Sequence, residues 1–143
     1  MNKTAPAWRH GTPAKTAVVL VNLGTPDAPT PDAVRRYLAE FLGDPRVVEI
    51  PRALWMLILH GIILRVRPKK SAAKYATIWE DAGSPLMVHT LAQTHALEQI
   101  MRQRGHDLIV TWAMRYAGQG PNSITAVLER LRSENATRIL VLP

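Results

Sequence analysis

Three short apolar runs constrain this chain more than anything else in it. "TAVVLVNLG" (residues 16–24), "DLIVTWAMR" (107–115) and "TRILVLP" (137–143) are rich in Val, Ile and Leu and lack strict polar alternation. Strands that are apolar on both sides need cover on both sides, which is the situation inside a parallel sheet. Parallel neighbours cannot be joined by a tight turn, so each crossover needs a helix or more.

The intervening sequence supplies those helices. In "TPDAVRRYLAEFLG" (30–43), Thr30 is placed as an N-cap, Pro31 at the first helical position and Gly43 just past the end. Val34, Tyr37, Leu38, Phe41 and Leu42 recur at helical spacing and give it one apolar face. Residues 53–70 and "KKSAAKYATIWED" (69–81) read as two more helices, followed by a loop "AGSP". "LMVHTLAQTHALEQIMRQRG" (86–105) is a long helix closed by Gly105, and "PNSITAVLERLRSE" (121–134) is another, capped by Asn122 or Ser123. The order β-α-α-α-α-β-α-β predicts an α/β fold: an open parallel sheet with helices on both faces.

Residues 1–15 read as a flexible, mildly basic arm without a signal-peptide core, and residues 16–143 as one α/β domain. The third run is expected to be a buried strand, yet it ends at Pro143 with no covering element after it. The chain is therefore expected to be truncated, a piece of a longer protein.

Ligands of such sheets sit beyond the carboxyl ends of the strands. Here those ends are Asn22 to Pro26, Arg115 with Tyr116, and Pro143. In "VNLGTP", Gly24 permits close approach of a ligand to backbone, or simply a tight strand-to-helix turn. In "AMRY", Arg115 can pair bidentately with a carboxylate and Tyr116 offers a flat face and a hydroxyl; a plain surface contact is the other reading. Glycine-rich phosphate cradles are missing, and "AGQGP" is most simply a turn.

Composition narrows the chemistry. There is no cysteine, which excludes disulfides, thiolate metal sites and thiol catalysis. Of the five histidines, His89 and His95 lie about 240° apart around one helix, and His10, His60 and His106 fall in separate segments, so no metal site is expected. The net charge of +7 and pI near 10.4 suit an anionic surface or ligand. The only dense basic run is 65–70, with no nucleic-acid-binding spacing, so nucleic acid is not the expected partner.

"ALWMLILHGIILRVRPKK" (53–70) raises a separate question. Its apolar part is twelve residues long, well short of the roughly twenty that span a bilayer. A helix apolar all round must be buried or must meet something other than water. A core reading accounts for Leu57 and Ile58; Trp55 followed by Arg65, Arg67, Lys69 and Lys70 suits an interface or the lip of an amphiphile site. Both readings stand.

"VVLVNLGTP", "PDAVRRYLAEFL", "LHGIILRVRPKKSAAKYATIW", "GSPLMVHT" and "AMRY" occur in the order found in ferrochelatases, the lyases of heme biosynthesis that insert ferrous iron into protoporphyrin IX. The resemblance runs over residues 16–143 and is closest to the bacterial form. It implies a chelatase-like, Rossmann-type half, the N-terminal one of two similar domains with a porphyrin cleft between them. Porphyrin contacts carried over by position are Leu23, Leu38, Phe41, Arg65, Arg67, Tyr75, Ser84, Arg115 and Tyr116, with Arg65 and Arg67 near the propionates.

The resemblance implies no permanently bound cofactor, Fe²⁺ as substrate, protoporphyrin IX as the other partner, and a cytoplasmic location with peripheral membrane contact through residues 53–70. The metal-side His and its acidic partner are expected beyond Pro143, so this chain alone is expected to be inactive. "MRYAGQGPNSI" is longer than the family's loop at that rim. Two other readings are a chelatase for another tetrapyrrole or metal such as cobalt, and a non-catalytic basic α/β binding module.

Overall fold

The computed structural model describes residues 13–118 and 120–143. His10 and most of the expected arm lie outside the described residues. The elements are β1 (Lys15–Gly24), α1 (Pro31–Gly43), α2 (Arg52–Ile58), a π-helical turn (Leu59–Ile63), α3 (Leu64–Ile78), α4 (Pro85–Gln103), β2 (Leu108–Tyr116), α5 (Ile124–Ser133) and β3 (Ala136–Leu142).

The three strands form one parallel sheet in the order β2-β1-β3, with Val18 opposite Val110 on one side and Leu140 on the other. Successive residues of β1 face opposite ways. Ala17, Val19 and Ala113 pack with Val127 and Leu131 of α5 in a buried cluster. On the other face the Asn22 amide donates to Thr90 Oγ1 of α4 at 3.2 Å. Helices thus cover both faces, as the apolar runs require.

A second buried cluster holds the helical layer together: Val34 and Leu38 of α1 against Leu59, Leu64 and Ala72. The helix starts are fixed by the expected chemistry. Thr30, Ser84 and Ser123 each accept a hydrogen bond from the backbone N–H three residues on, at Ala33, Met87 and Ala126. Gly105, at φ +78°, follows α4.

Several expectations change. Residues 53–70 and 69–81 are not two helices with a break near Lys69. Arg52 to Ile78 run without interruption through the π-helical turn. In an α-helix Leu59 and Leu64 would point about 140° apart. The i→i+5 bond from Leu64 N–H to Leu59 C=O brings both to the buried side. Pro68 sits inside α3, where it removes the bond to the Leu64 carbonyl without ending the helix.

Gly43 is the last residue of α1 rather than the first beyond it; Asp44 is the C-cap and is extended. β1 begins at Lys15, one residue inside the stretch read as arm. The third strand was expected to be buried, but Ile139 to Leu142 are exposed. β3 is an edge strand, and the α5 cluster reaches only its start, through Ala136. No helix among the described residues is long and apolar enough to cross a membrane.

Candidate functional site at the carboxyl ends of the strands

The end of β1 is pressed against the end of β2. Gly24 has φ +125°, and a β-carbon there would collide with the carbonyl oxygen of Tyr116. The glycine of "NLGTP" is therefore required by a neighbouring strand. The next residue, Thr25, has a buried hydroxyl with no hydrogen-bond partner among the described residues. It lines two clefts. One, of about 510 Å³, opens between the loop after β1 and α1, bordered by Asp27, Arg36, Tyr37, Glu40 and Tyr116. A smaller one of about 170 Å³ is bordered by Trp79, Ser84, Met87 and Trp112.

Tyr116 forms the wall between the first cleft and a third of about 640 Å³, lined by Asp44, Arg46, Arg52, Met56 and Arg115. Its ring meets Phe41 edge-on at 5.2 Å between centroids, and Phe41 stacks on Tyr37 at 5.9 Å. This order follows from helical spacing, since Tyr37 and Phe41 are four apart on α1. Burial, with lesser effects from Tyr75, Tyr116 and Glu40, pushes the Tyr37 phenol from 10.0 up to about 12. It is a neutral hydroxyl at any physiological pH. Burial also raises Tyr75, whose ring meets Trp79 edge-on.

Asp44 collects the polar groups at this point. Its Oδ1 accepts from the Arg46 backbone N–H at 2.9 Å. Its Oδ2 accepts from Arg115 Nη2 at 3.0 Å and from the Tyr116 hydroxyl at 3.2 Å. The Arg46 N–H, then the bonds from Arg115 and Tyr116, hold the Asp44 carboxyl below the usual carboxylate range. Tyr116 and Asp44 together raise Arg115 further. Four residues before Asp44, Glu40 Oε2 accepts from Gly118 N–H at 2.9 Å, so the loop after β2 is tied to α1.

Of the residues singled out in the sequence, Phe41, Arg115 and Tyr116 come together here. Tyr75 lies beside the same aromatic group through its packing on the α1–α3 cluster. Leu23 is exposed at the end of β1. Arg65 and Arg67 are exposed on α3. Leu38 is 7% exposed inside the helical cluster and Ser84 3% exposed, its hydroxyl capping α4. Tyr37, Asp44, Glu40 and Thr25 belong to the site and were not singled out as site residues. Tyr37 carried a signal in its spacing from Phe41; Asp44 meets its partner 71 residues away, which one sequence does not reveal.

Residues 53–64 divide between the two readings. Leu59 is fully buried, and Trp55, expected at an interface, is half-buried and donates from Nε1 to the Leu42 carbonyl at 2.7 Å, clasping α2 to the end of α1. Leu57, which a core reading accounted for, is 73% exposed, and Leu54, Ile62 and Val66 are exposed with it. No group of three or more metal-ligating side chains occurs among the described residues.

Comparison with known proteins identifies the family. The ferrochelatase family model matches residues 15–143. The chain is 63% identical over 138 residues to a ferrochelatase of Dechloromonas aromatica, covering 96% of the chain and 37% of the relative. It is 59% identical to one of Methylibium petroleiphilum over the same shares, and 58% identical over 142 residues to one of a Polaromonas species, covering 96% and 38%. The chain thus spans little more than a third of the length of these relatives. No solved structure gives a significant match. With a family model that covers nearly the whole chain and relatives at this identity, the chain belongs to the ferrochelatase family.

Proposed function

We propose that this chain provides a porphyrin-binding wall for the insertion of ferrous iron into protoporphyrin IX, giving protoheme. The observation that carries the reading is the Tyr37–Phe41–Tyr116 aromatic group with Arg115 at its edge, at the carboxyl end of a parallel sheet. Flat aromatic faces suit a macrocycle, and a guanidinium suits the carboxylates of its side chains. The unpartnered Thr25 hydroxyl supports the same reading, because a buried polar atom at a cleft is satisfied by a polar ligand atom.

Metallation releases two pyrrole N–H protons as Fe²⁺ takes their place, so it needs a base near the ring and removal of water from the metal. The role proposed for the residues described here is binding and orientation. Leu23, Arg65, Arg67 and Tyr75 are proposed as further contacts, the two arginines toward the propionates. Exposed Leu54, Leu57, Ile62 and Val66, followed by Arg65, Arg67, Lys69 and Lys70, form an apolar surface beside a basic one. That pairing suits an anionic bilayer surface, from which an insoluble porphyrin would be taken.

The test is a Soret-band titration of the 143-residue chain with protoporphyrin IX. A saturable shift that Arg115→Ala weakens by about tenfold or more is expected. A spectrum unchanged by the protein would overturn the reading and favour a basic binding module.

A further inference from the structure

The geometry points to Asp44 as the positioning residue of the cleft wall: one carboxylate oxygen fixes both the Arg115 guanidinium and the Tyr116 hydroxyl. This rests on the reading of the cleft as a porphyrin site and goes beyond it by naming what sets the geometry.

The two oxygens of Asp44 have different tasks. Oδ1 closes the turn after α1 by accepting from Arg46 N–H, a local bond two residues long. Oδ2 reaches across to β2, where Arg115 Nη2 and Tyr116 OH converge on it. The Asp44 side chain is only 13% exposed, whereas that of Arg115 is 41% exposed. The anchor is thus inside and the guanidinium still faces the cleft.

The same oxygen also sets the direction of the phenol. With its hydrogen donated to Asp44, the Tyr116 oxygen has lone pairs left to accept from Arg115 Nε at 3.4 Å. Arg115 is then held through two of its nitrogens and rests over the Tyr116 ring, 5.4 Å from its centroid. Arg46 Nη1, at 3.8 Å, is the second positive group near Oδ2, but its side chain is far more exposed. A long side chain with several rotamers loses less freedom on binding when a fixed acceptor has already chosen one.

The division of labour gives a clean substitution. Asp44→Asn retains Oδ1, and with it the turn, but replaces Oδ2 by an NH₂ group that faces two donors. Loss of positioning without loss of fold is the expected outcome. The first readout needs no porphyrin: nitrogen-15 NMR of the Arg115 Nη2–H, the group that donates to Asp44, is expected to show slow exchange in the wild-type chain and fast exchange in Asp44→Asn, with the far-UV circular dichroism unchanged. The second is the Soret titration, in which the variant binds protoporphyrin IX about tenfold more weakly.

An Arg115 signal that stays protected in Asp44→Asn overturns the proposal, whatever the porphyrin does. If Asp44→Asn does not fold, Tyr116→Phe decides. It keeps the ring and Asp44, so the Arg115 Nη2–H remains protected when Asp44 is the anchor and becomes fast when the phenol is. If the wild-type chain gives no Soret shift, the porphyrin reading fails while the NMR comparison still decides the role of Asp44.

Discussion

Gly24 and Tyr116 approach so closely across the β1–β2 pair that the carbonyl oxygen of one occupies the space of a β-carbon on the other. The contact joins the end of β2, which borders all three clefts, to the end of β1, whose next residue, Thr25, lines two of them. It also explains why "NLGTP" turns where it does. A side chain at position 24 would force apart the loop carrying Thr25 and the wall formed by Tyr116.

Gly24→Ala therefore meets both a backbone conformation that L-residues avoid and a main-chain collision. A cost of about 2–4 kcal/mol is expected, or a Tm roughly 10 °C lower, read by thermal unfolding. Gly43→Ala is the control: a β-carbon there meets nothing within 4 Å, and its stability should match or exceed wild type.

The helical rod supplies a second contrast. Leu59 is fully buried by the π-helical turn, while Leu57, two residues earlier, is 73% exposed. Leu59→Ala should cost about 2–5 kcal/mol in urea unfolding. Leu57→Ala should change stability by less than about 0.5 kcal/mol. It should instead lower partitioning onto anionic vesicles, measured by co-sedimentation; equal partitioning would remove Leu57 from the proposed membrane face.

Those two leucines mark where the sequence could and could not be read. Strands, caps and the parallel pattern rest on local signals: an apolar run, a Thr or Ser before a helix, a Pro in its first turn. The rod depends on an i→i+5 bond that shifts every later residue by one position, and an apolar run does not itself say which side is covered, so Leu57, which the core reading accounted for, points out. Arg115 and Tyr116 could be found because they sit at the carboxyl end of a strand, while Phe41 entered as a site residue only through the family resemblance. Asp44 could not, since its function lies in contacts made across 71 and 72 positions. The exposed β3 likewise reflects what packs against it, which its own composition does not contain.

Two groups give opposite pH signatures. Asp44 titrates below its ordinary 3.8 because the fold stabilises its ionised form. That contribution is present above the unfolded value and is lost as pH falls through the lower folded value, so stability should drop in acid below about pH 4. Tyr37 behaves in reverse. Its phenol is held neutral up to about 12 against 10.0, so its contribution is complete below pH 10 and disappears between pH 10 and about 12. Phe41→Ala exposes the ring stacked on it and should return the Tyr37 titration toward 10. Ultraviolet difference spectra at 295 nm would follow that step; an unmoved alkaline transition would assign it to another tyrosine.

Thr25 offers a test in which stability and binding move in opposite directions. Its hydroxyl is buried without a partner, a condition that costs about 1–3 kcal/mol relative to a paired or apolar group. Valine has nearly the same shape and no hydrogen-bonding atom. Thr25→Val should therefore raise the urea midpoint, by an amount equivalent to about 1 kcal/mol. Thr25 lines the two clefts bordered by Tyr37, Tyr116, Ser84 and Trp112, and a proposed ligand seated there would satisfy the buried hydroxyl once the loop adjusts to it. The same substitution should then weaken protoporphyrin binding in the Soret titration. Unfolding and titration of the two chains side by side give the answer. A lower midpoint for Thr25→Val would mean that the hydroxyl finds a partner within the free protein. A raised midpoint with unchanged binding would show that the strand-end loop tolerates an unpaired group for a reason other than the ligand.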